Sequence, residues 1–246
     1  MPHYALRVID APADVVLVHG AYHGSWCWEL LRPELESRGH RVVTPDLPIS
    51  DPDRTLGDYA TAVAAAMSPD RPAVLVGHSM SGLVIPLVAS RRPVFRLVFL
   101  AAFVPRLGVS ANEQRRAESI DRLPPPSMAE WTDLGRNVWT IGPNTARELF
   151  FHDVAPDVAE RAVDRLRAQA YDVFAEPSPL DRWPAVPASS IVCRDDRSVS
   201  PDWSRATARE RLGVEPVDLD GGHSPFLTRP AELAAVLSTF AQGQRP

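Results

Sequence analysis

Residues 74–82 read VLVGHSMSG and run from an apolar strand through a turn into a helix. A serine, Ser79, stands at the junction. The chain must turn sharply there, so small residues are needed on both sides of the serine, and Gly77 and Ser81 meet that demand. Ser81 occupies a position where glycine is usual, and Gly82 follows it. The pattern predicts a nucleophilic serine presented above the carboxyl end of a strand.

Other short apolar runs alternate with helical patterns. The remaining strand candidates are Val15–His19, His40–Thr44, Arg96–Ala101, Ser190–Cys193 and Glu215–Leu219. The helix candidates outside the middle of the chain are Ser25–Arg38, Thr55–Met67, Leu83–Ser90, a helix from Pro201, and Pro230–Phe240. Uninterrupted apolar strands separated by helices are typical of a parallel sheet that is covered on both faces. The sequence therefore predicts an α/β fold with a doubly wound, mostly parallel sheet.

The pattern changes between about Pro105 and Pro187. No strand is predicted there, and helix-like stretches such as Arg161–Ala170 take over. Aromatic residues are concentrated in this region, namely Trp131, Trp139, Phe150, Phe151, Tyr171, Phe174 and Trp183. We therefore predict a core made of residues 1–104 and 188–246, with residues 105–187 inserted as a helical cap before the strand that carries the acid described below.

A nucleophilic serine needs a base and an orienting acid, which follow it in this kind of fold in the order acid, then histidine. Only two histidines lie downstream of Ser79, namely His152 and His223. His223 directly follows the strand candidate Glu215–Leu219 and a pair of glycines that let the loop fold tightly. We predict that His223 is the base, and that His152, within the insertion, has a surface or core role.

Two adjacent carboxylates compete for the role of the acid. Asp195 and Asp196 both follow the strand candidate Ser190–Cys193, where sheet enzymes place catalytic groups. Neighbouring residues leaving a strand point in opposite directions, so one of the two faces His223. We predict that Asp196 does so and that Asp195 is a turn or surface residue. Asp46 precedes the serine, lies between prolines, and is interpreted as a turn former.

Stabilising a tetrahedral oxyanion requires two backbone N–H groups. The amide of Met80 begins the helix after the serine, and the amide of Ala21 lies in the loop after the first strand candidate. Gly20 lets this loop approach the substrate. We predict Ala21 and Met80 as the two donors, Gly20 as a residue beside the substrate, and structural roles for His19 and His78.

The composition excludes several classes of function. The net charge of −5 gives no reason to expect a nucleic-acid partner, and no apolar run is long enough to span a membrane. The N-terminus lacks the pattern of a signal peptide, so we expect a cytoplasmic protein whose cysteines, Cys27 and Cys193, are reduced. All 26 basic residues are arginine, which is typical of a GC-rich bacterial genome and excludes a lysine nucleophile. We expect no metal and no cofactor.

These motifs make the chain resemble the α/β-hydrolase superfamily over nearly its full length. Residues 16–28 (VLVHGAYHGSWCW) are similar to the branch that holds the plant methylesterases and hydroxynitrile lyases, together with bacterial relatives. Residues 191–199 (IVCRDDRSV) are similar to that branch's acid loop, in which Asp196 matches the acid. The resemblance also implies oxyanion donors at Ala21 and Met80. The insertion matches loosely, and Trp131 is our one candidate there for contacting substrate.

Two positions separate the esterases from the lyases of this branch. The lyases have threonine after the loop histidine and lysine after the triad histidine, whereas this chain has Gly20 and Ser224. We therefore expect a serine hydrolase that cleaves a small, apolar or aromatic ester through an acyl-enzyme. A non-hydrolytic enzyme of secondary metabolism (a C–C lyase, cofactor-free oxygenase or cyclase) and a ligand-binding receptor remain alternatives. The expected partner is a small ester, and a homodimer is left open.

Overall fold

A computed structural model describes residues 13–120 and 130–242 of the chain. Residues 1–12 and 243–246 of the predicted core and residues 121–129 of the predicted cap lie outside the described residues. Six parallel strands form the main sheet, namely β1 (Asp14–Val18), β2 (Val42–Val43), β3 (Ala73–His78), β4 (Arg96–Leu100), β8 (Ala188–Cys193) and β9 (Val217–Leu219). Their order across the sheet is β2-β1-β3-β4-β8-β9. The predicted α/β fold class is confirmed.

Helices cover both faces of this sheet, and others lie in the region between β4 and β8. They are α1 (Leu31–Glu36), α2 (Leu56–Ala66), α3 (Ile85–Ala89), α4 (Ala111–Ala117), α5 (Pro143–Phe150), α6 (Pro156–Val163), α7 (Asp172–Ala175), α8 (Pro201–Thr207), α9 (Pro225–Thr228) and α10 (Pro230–Ala241). Two short 3₁₀ helices, Ser25–Trp28 and Ser79–Leu83, precede α1 and α3, so the α-helices there are shorter than the sequence predicts. A π-helical turn, Ala208–Leu212, extends α8.

The central strand β3 is apolar over most of its length because its two faces pack against different helices. In β3, Val74 and Val76 pack into the cluster that includes Leu31 and Leu35 of α1 and Leu237 of α10. The alternate residues Ala73 and Leu75 pack into the cluster formed by α2, α3 and α8. Every residue of β3 is buried. Burial on both faces is what a continuous apolar run in a parallel sheet predicts.

The region between β4 and β8, residues 105–187, is here called the insertion. It contains α4 to α7, but the expectation that it holds no strand is wrong. A three-stranded antiparallel sheet lies within it, made of β5 (Trp131–Asp133), β6 (Val138–Ile141) and β7 (Gln169–Ala170). These strands are two to four residues long, which is too short for a periodic pattern to show.

The predicted helix Arg161–Ala170 is also wrong after its first three residues. Helix α6 ends at Val163, and Gln169 and Ala170 form β7 by pairing with Trp139 and Val138 of β6. The Ala170 N–H also donates to the carbonyl oxygen of Ile49 at 2.7 Å. Tertiary hydrogen bonds therefore override the helical spacing of this segment.

Parallel strands place their carboxyl ends at a shared edge of the sheet. Gly20 follows β1, Ser79 follows β3, Asp196 follows β8 and His223 follows β9. The topology thus brings the predicted site residues to one edge. Among the helices in the described ranges, none is both long and apolar enough to cross a membrane.

Candidate active site

Ser79 lies in a strained turn between β3 and the 3₁₀ helix that follows it. Its φ of 54° is in the left-handed region, which is uncommon for a residue with a side chain. The turn tolerates only small neighbours. A Cβ on Gly77 would lie 2.8 Å from the carbonyl oxygen of Ser81, and a Cβ on Gly82 would overlap the carbonyl oxygen of Phe103. The Phe103 N–H in turn donates to the Ser79 carbonyl oxygen at 3.0 Å, which anchors the turn to the chain after β4.

The loop after β1 packs directly against this turn. A Cβ on Gly20 would lie 2.9 Å from the Cβ of Ser79 and 2.9 Å from Nδ1 of His78, so a side chain has no room there. The hydroxyl of Ser81, at the position where glycine is usual, donates to the carbonyl oxygen of His19. The serine at this position therefore ties the turn to the loop.

Asp196 and His223 meet in the buried interior beside these loops. The two atoms Nδ1 of His223 and Oδ2 of Asp196 are 2.8 Å apart, and both side chains are at most 2% exposed. The other carboxylate oxygen, Oδ1, accepts the N–H groups of Ser198 at 2.8 Å and Val199 at 3.0 Å. These three donors fix the orientation of the carboxylate.

This arrangement determines which nitrogen of His223 carries the proton. Nδ1–H donates to Asp196, so in the neutral ring Nε2 is an unprotonated acceptor. Within residues 13–120 and 130–242 the Ser79 hydroxyl makes no hydrogen bond to His223. The two residues are connected instead through His78, the neighbour of Ser79, whose Nε2–H donates to the His223 carbonyl oxygen at 2.9 Å. Catalytic hydrogen bonds often tighten only when substrate binds.

Three further histidines are buried beside His223. His19 accepts the Leu47 N–H on Nε2 at 3.0 Å and donates from Nδ1 to the Gly20 carbonyl at 2.9 Å. His23 donates from Nδ1 to the Ala21 carbonyl at 2.8 Å. Burial lowers the pKa of His19 to about 4 and that of His23 to about 3, and it lowers the pKa of His78 well below its usual value. All three are neutral at pH 7, which suits structural roles.

The two predicted oxyanion donors lie on the elements that meet at Ser79. Met80 is the second residue of the 3₁₀ helix and is buried, and the first N–H groups of a helix have no acceptor within it. Ala21 follows Gly20 in the loop after β1 and is partly buried between the two apolar clusters. Both donor roles stay predictions.

Two residues of the insertion, His152 and Asp153, hold the loops that carry Asp196 and His223, a role that the sequence did not predict. The carboxylate of Asp153 accepts the Gly222 N–H at 2.7 Å, one residue before His223. Nε2 of His152 donates to the carbonyl oxygen of Asp195, one residue before Asp196, at 3.0 Å. His152 and Asp153 thus form hydrogen bonds to the loop that carries Asp196 and to the loop that carries His223. The one local signal for this role is the adjacency of two polar residues after the apolar pair Phe150-Phe151.

Aromatic side chains of the insertion surround the site. The Phe150 ring lies 5.7 Å from the His223 ring and 6.2 Å from the ring of Tyr22, measured between centroids. Trp131 packs edge-on against Tyr22 at 5.8 Å and against Tyr171 at 6.1 Å. Trp131, the candidate substrate contact, therefore belongs to an aromatic wall formed by Tyr22, Trp131, Phe150 and Tyr171.

The remaining candidates belong neither to the Asp196–His223 pair nor to the aromatic wall. The Asp195 side chain is exposed next to the buried Asp196. Asp46 accepts the N–H of Ser25 at 2.7 Å and its hydroxyl at 2.9 Å. It therefore joins two loops 21 residues apart, and the expectation that it forms a turn is wrong. Cys27 and Cys193 are buried and form no disulfide. In the part of the chain that the structure describes, no group of three or more His, Cys, Asp or Glu side chains is placed to hold a metal ion.

Comparison with known proteins identifies the family. Residues 15–236 match the alpha/beta hydrolase family. The chain belongs to the alpha/beta hydrolase family. Among curated proteins, this hydrolase is 30% identical to Methylesterase 3 of Arabidopsis thaliana, over 92% of this chain and 95% of that protein. It is 31% identical to Salicylic acid-binding protein 2 of Nicotiana tabacum, over 92% of this chain and 96% of that protein.

The bacterial side of the branch is represented as well. A Pyrethroid hydrolase from Sphingobium wenxiniae is 27% identical over 93% of this chain and 87% of its own length.

Among solved structures, polyneuridine aldehyde esterase matches this alpha/beta hydrolase with a TM-score of 0.78 at 24% identity, over 94% of this chain and 99% of that one. The structural match supports the fold. The resemblance to the plant methylesterase branch and its bacterial relatives is confirmed.

Proposed function

We propose that this alpha/beta hydrolase cleaves small, apolar or aromatic carboxylic esters through an acyl-enzyme formed on Ser79. The chain is a carboxylic ester hydrolase, the class to which Methylesterase 3 and the other named esterases among its relatives belong. The observation that carries the proposal is the 2.8 Å hydrogen bond from Nδ1–H of His223 to Asp196. This hydrogen bond leaves Nε2 as the basic atom of the imidazole. His223 is joined to the Ser79 turn by the hydrogen bond from His78 to its carbonyl oxygen.

In the first half of the reaction, Nε2 of His223 takes the proton of the Ser79 hydroxyl while Oγ attacks the ester carbonyl carbon. The positive charge that forms on the imidazole is stabilised by Asp196. The N–H groups of Ala21 and Met80 donate to the oxyanion. Collapse of the tetrahedral intermediate expels the alcohol, which takes the proton from His223, and leaves the acyl group on Ser79.

In the second half, a water molecule replaces the alcohol. His223 takes one proton from this water as its oxygen attacks the acyl carbon, and the same proton returns to Oγ of Ser79 when the carboxylic acid leaves. Serine, histidine and water thus return to their starting protonation states. Each step uses the same acid, base and oxyanion donors.

The aromatic wall supports an apolar or aromatic substrate. Phe150 lies against the ring of His223, and Trp131 and Tyr171 pack around Tyr22, directly after the predicted oxyanion donor Ala21. Aromatic side chains bind apolar and aromatic groups by burial and by ring contacts. Three of these four rings come from the insertion, so we propose that residues 105–187 act as the cap of the pocket. We also place the protein in the cytoplasm.

Substitution of the nucleophile tests the proposal. We expect Ser79→Ala to abolish hydrolysis of p-nitrophenyl acetate and covalent labelling by a fluorophosphonate, with an unchanged circular dichroism spectrum. Ser90→Ala is the matched control, because the Ser90 hydroxyl caps α3 by donating to the Leu87 carbonyl, outside the site. Turnover by the Ser79→Ala variant at the wild-type rate would overturn the assignment.

A panel of methyl and aryl esters of aliphatic and aromatic acids tests the substrate class. The proposal expects a higher kcat/KM for the aromatic acids. Labelling at Ser79 without turnover of any ester would contradict ester hydrolysis and favour a non-hydrolytic reaction on the same residues. Tight binding of an aromatic acid without labelling or turnover would instead favour a receptor.

A further inference from the structure

Tyr22 has an unusual backbone conformation next to the predicted oxyanion donor. Its φ is 64°, in the left-handed region that bulky side chains rarely occupy. Ala21, which precedes it, carries the N–H assigned to the oxyanion. Strained backbone of this kind persists only where its surroundings hold it in place. The contacts that hold Tyr22 therefore also restrain the loop that carries the Ala21 N–H.

Three successive carbonyl oxygens of this loop are fixed by hydrogen bonds. The Gly20 carbonyl accepts from Nδ1 of His19 at 2.9 Å, and the Ala21 carbonyl accepts from Nδ1 of His23 at 2.8 Å. The Tyr22 carbonyl accepts from the backbone N–H of Arg167 at 2.7 Å. In a planar trans peptide the C=O and the following N–H point in opposite directions. Holding the Gly20 carbonyl against His19 therefore turns the Ala21 N–H the other way.

The Tyr22 side chain supplies a further restraint from the insertion. Its hydroxyl donates to the hydroxyl of Tyr171 at 2.8 Å, and Tyr22 is only 2% exposed. Burial, together with this neighbour, raises the pKa of Tyr22 above its usual range, so the hydroxyl remains a neutral donor. Both restraints from the insertion, the Arg167 N–H and the Tyr171 hydroxyl, act on the same residue.

The segment that supplies these groups is itself attached to the core. Ala170 N–H donates to the Ile49 carbonyl at 2.7 Å, and the Ser50 hydroxyl donates to the Ala168 carbonyl at 2.7 Å. The Arg167 guanidinium donates to the Leu47 carbonyl at 3.2 Å. Residues 167–171 thus form a support that is held by the core as well as by β6 of the insertion.

We propose that Tyr22 is a positioning residue for the ester reaction, and that its hydrogen bond to Tyr171 holds the Ala21 N–H in the orientation that binds the oxyanion. This inference rests on the proposed function. Tyr22 acts through its backbone and does not take part in the chemistry. The hydrogen bond from the Ala21 N–H is strongest when negative charge develops on the substrate oxygen. It therefore stabilises the transition state more than it stabilises the bound ester.

Removal of either hydroxyl tests this role. We expect Tyr22→Phe and Tyr171→Phe each to lower kcat for p-nitrophenyl acetate about 10-fold, with KM changed less than about twofold. Affinity for an alkyl boronic acid, which forms a tetrahedral anion on the serine, should fall by a similar factor. The double variant should be no worse than either single variant, because both substitutions remove the same hydrogen bond.

Tyr59→Phe is the matched control. Tyr59 is a buried tyrosine whose hydroxyl faces Gln169 on the same support but which is not part of loop 20–23. It should leave kcat within about twofold of wild type. Unchanged kcat in both site variants, or losses that multiply in the double variant, would overturn the proposal. An equal fall in kcat in Tyr59→Phe and in the two site variants would also overturn the proposal.

Amide hydrogen exchange separates this inference from the proposed function. In Tyr171→Phe, exchange of the amides in residues 20–23 should become faster, while exchange in β3 stays as in wild type. If the wild-type protein hydrolyses no ester but this exchange still increases, the proposed function fails and the hydrogen bond retains its structural effect. If the protein is an active esterase and exchange in residues 20–23 does not change, the positioning role is wrong.

Discussion

The backbone of Gly20 lies against the Cβ of Ser79, so that a Cβ on the glycine would approach it to 2.9 Å. The loop after β1 and the turn after β3 therefore meet without space for one methyl group. Real Cβ atoms essentially never come this close, and the atoms facing Gly20 belong to a strained serine turn and a fully buried imidazole. Neither neighbour can move aside without moving the site.

From this contact we predict that Gly20→Ala lowers kcat/KM for p-nitrophenyl acetate at least about 100-fold, because the methyl group displaces the serine or the oxyanion loop. Gly57→Ala is the control, since Gly57 lies in the first turn of α2. A Cβ added there would lie 3.3 and 3.5 Å from the nearest atoms. Steady-state kinetics and thermal unfolding of both variants measure the effect. An active Gly20→Ala enzyme would show that the loop and the turn move apart.

The second prediction separates the two adjacent carboxylates. Asp196→Asn should lower kcat about 10⁴-fold, because an amide at this position no longer holds the Nδ1–H tautomer of His223. Asp195→Asn should keep at least half of the wild-type kcat, since its side chain is exposed. Kinetics with a short acyl ester measure both variants. A large loss in Asp195→Asn together with a small loss in Asp196→Asn would reverse the assignment.

The sequence was sufficient for the sheet and for the meeting of Asp196 with His223. Both follow from local signals. Buried parallel strands appear as continuous apolar runs, and residues that leave their carboxyl ends meet at one edge. The alternation of side chains along an extended chain indicates only that one of Asp195 and Asp196 faces His223. The resemblance to the acid loop of the branch favours Asp196, and the structure buries Asp196 and exposes its neighbour.

The insertion could not be predicted in the same way. Strand β7 consists of two residues whose hydrogen bonds reach Trp139 and Ile49, so no local pattern marks it. The pairs Tyr22–Tyr171 and Asp153–Gly222 join residues 149 and 69 positions apart. Their side chains carry no periodicity that would connect them, and such contacts appear only once the chain is folded.

The third prediction concerns the aromatic wall. Trp131→Ala should raise KM for aromatic esters about 5- to 10-fold and change KM for p-nitrophenyl acetate less than about twofold, because the indole contributes ring contacts to a large substrate. Trp139→Ala is the control, since the Trp139 indole N–H donates to the side chain of Asn137 at an exposed site. Equal effects of the two variants on aromatic esters would remove Trp131 from the pocket.

The last prediction follows from the buried histidines. His19, His23 and His78 have pKa values lowered by burial, to about 4, to about 3 and well below the usual value, respectively. The unfolded chain therefore takes up protons on these residues near pH 6.5 while the folded protein does not. Their contribution to stability is complete above pH 6.5 and is lost as the pH falls toward 4. Each contributes a slope of about 1.4 kcal/mol per pH unit in that window.

We therefore expect the free energy of unfolding in urea to fall steeply between pH 6.5 and pH 4.5. His23→Gln, which keeps an N–H donor for the Ala21 carbonyl but does not titrate, should reduce the slope by about 1.4 kcal/mol per pH unit. Phe226→Leu alters packing beside His23 and His78 without removing a titratable group, so it should lower stability and leave the slope at the wild-type value. A wild-type slope retained in His23→Gln would mean that His23 is protonated in the folded protein.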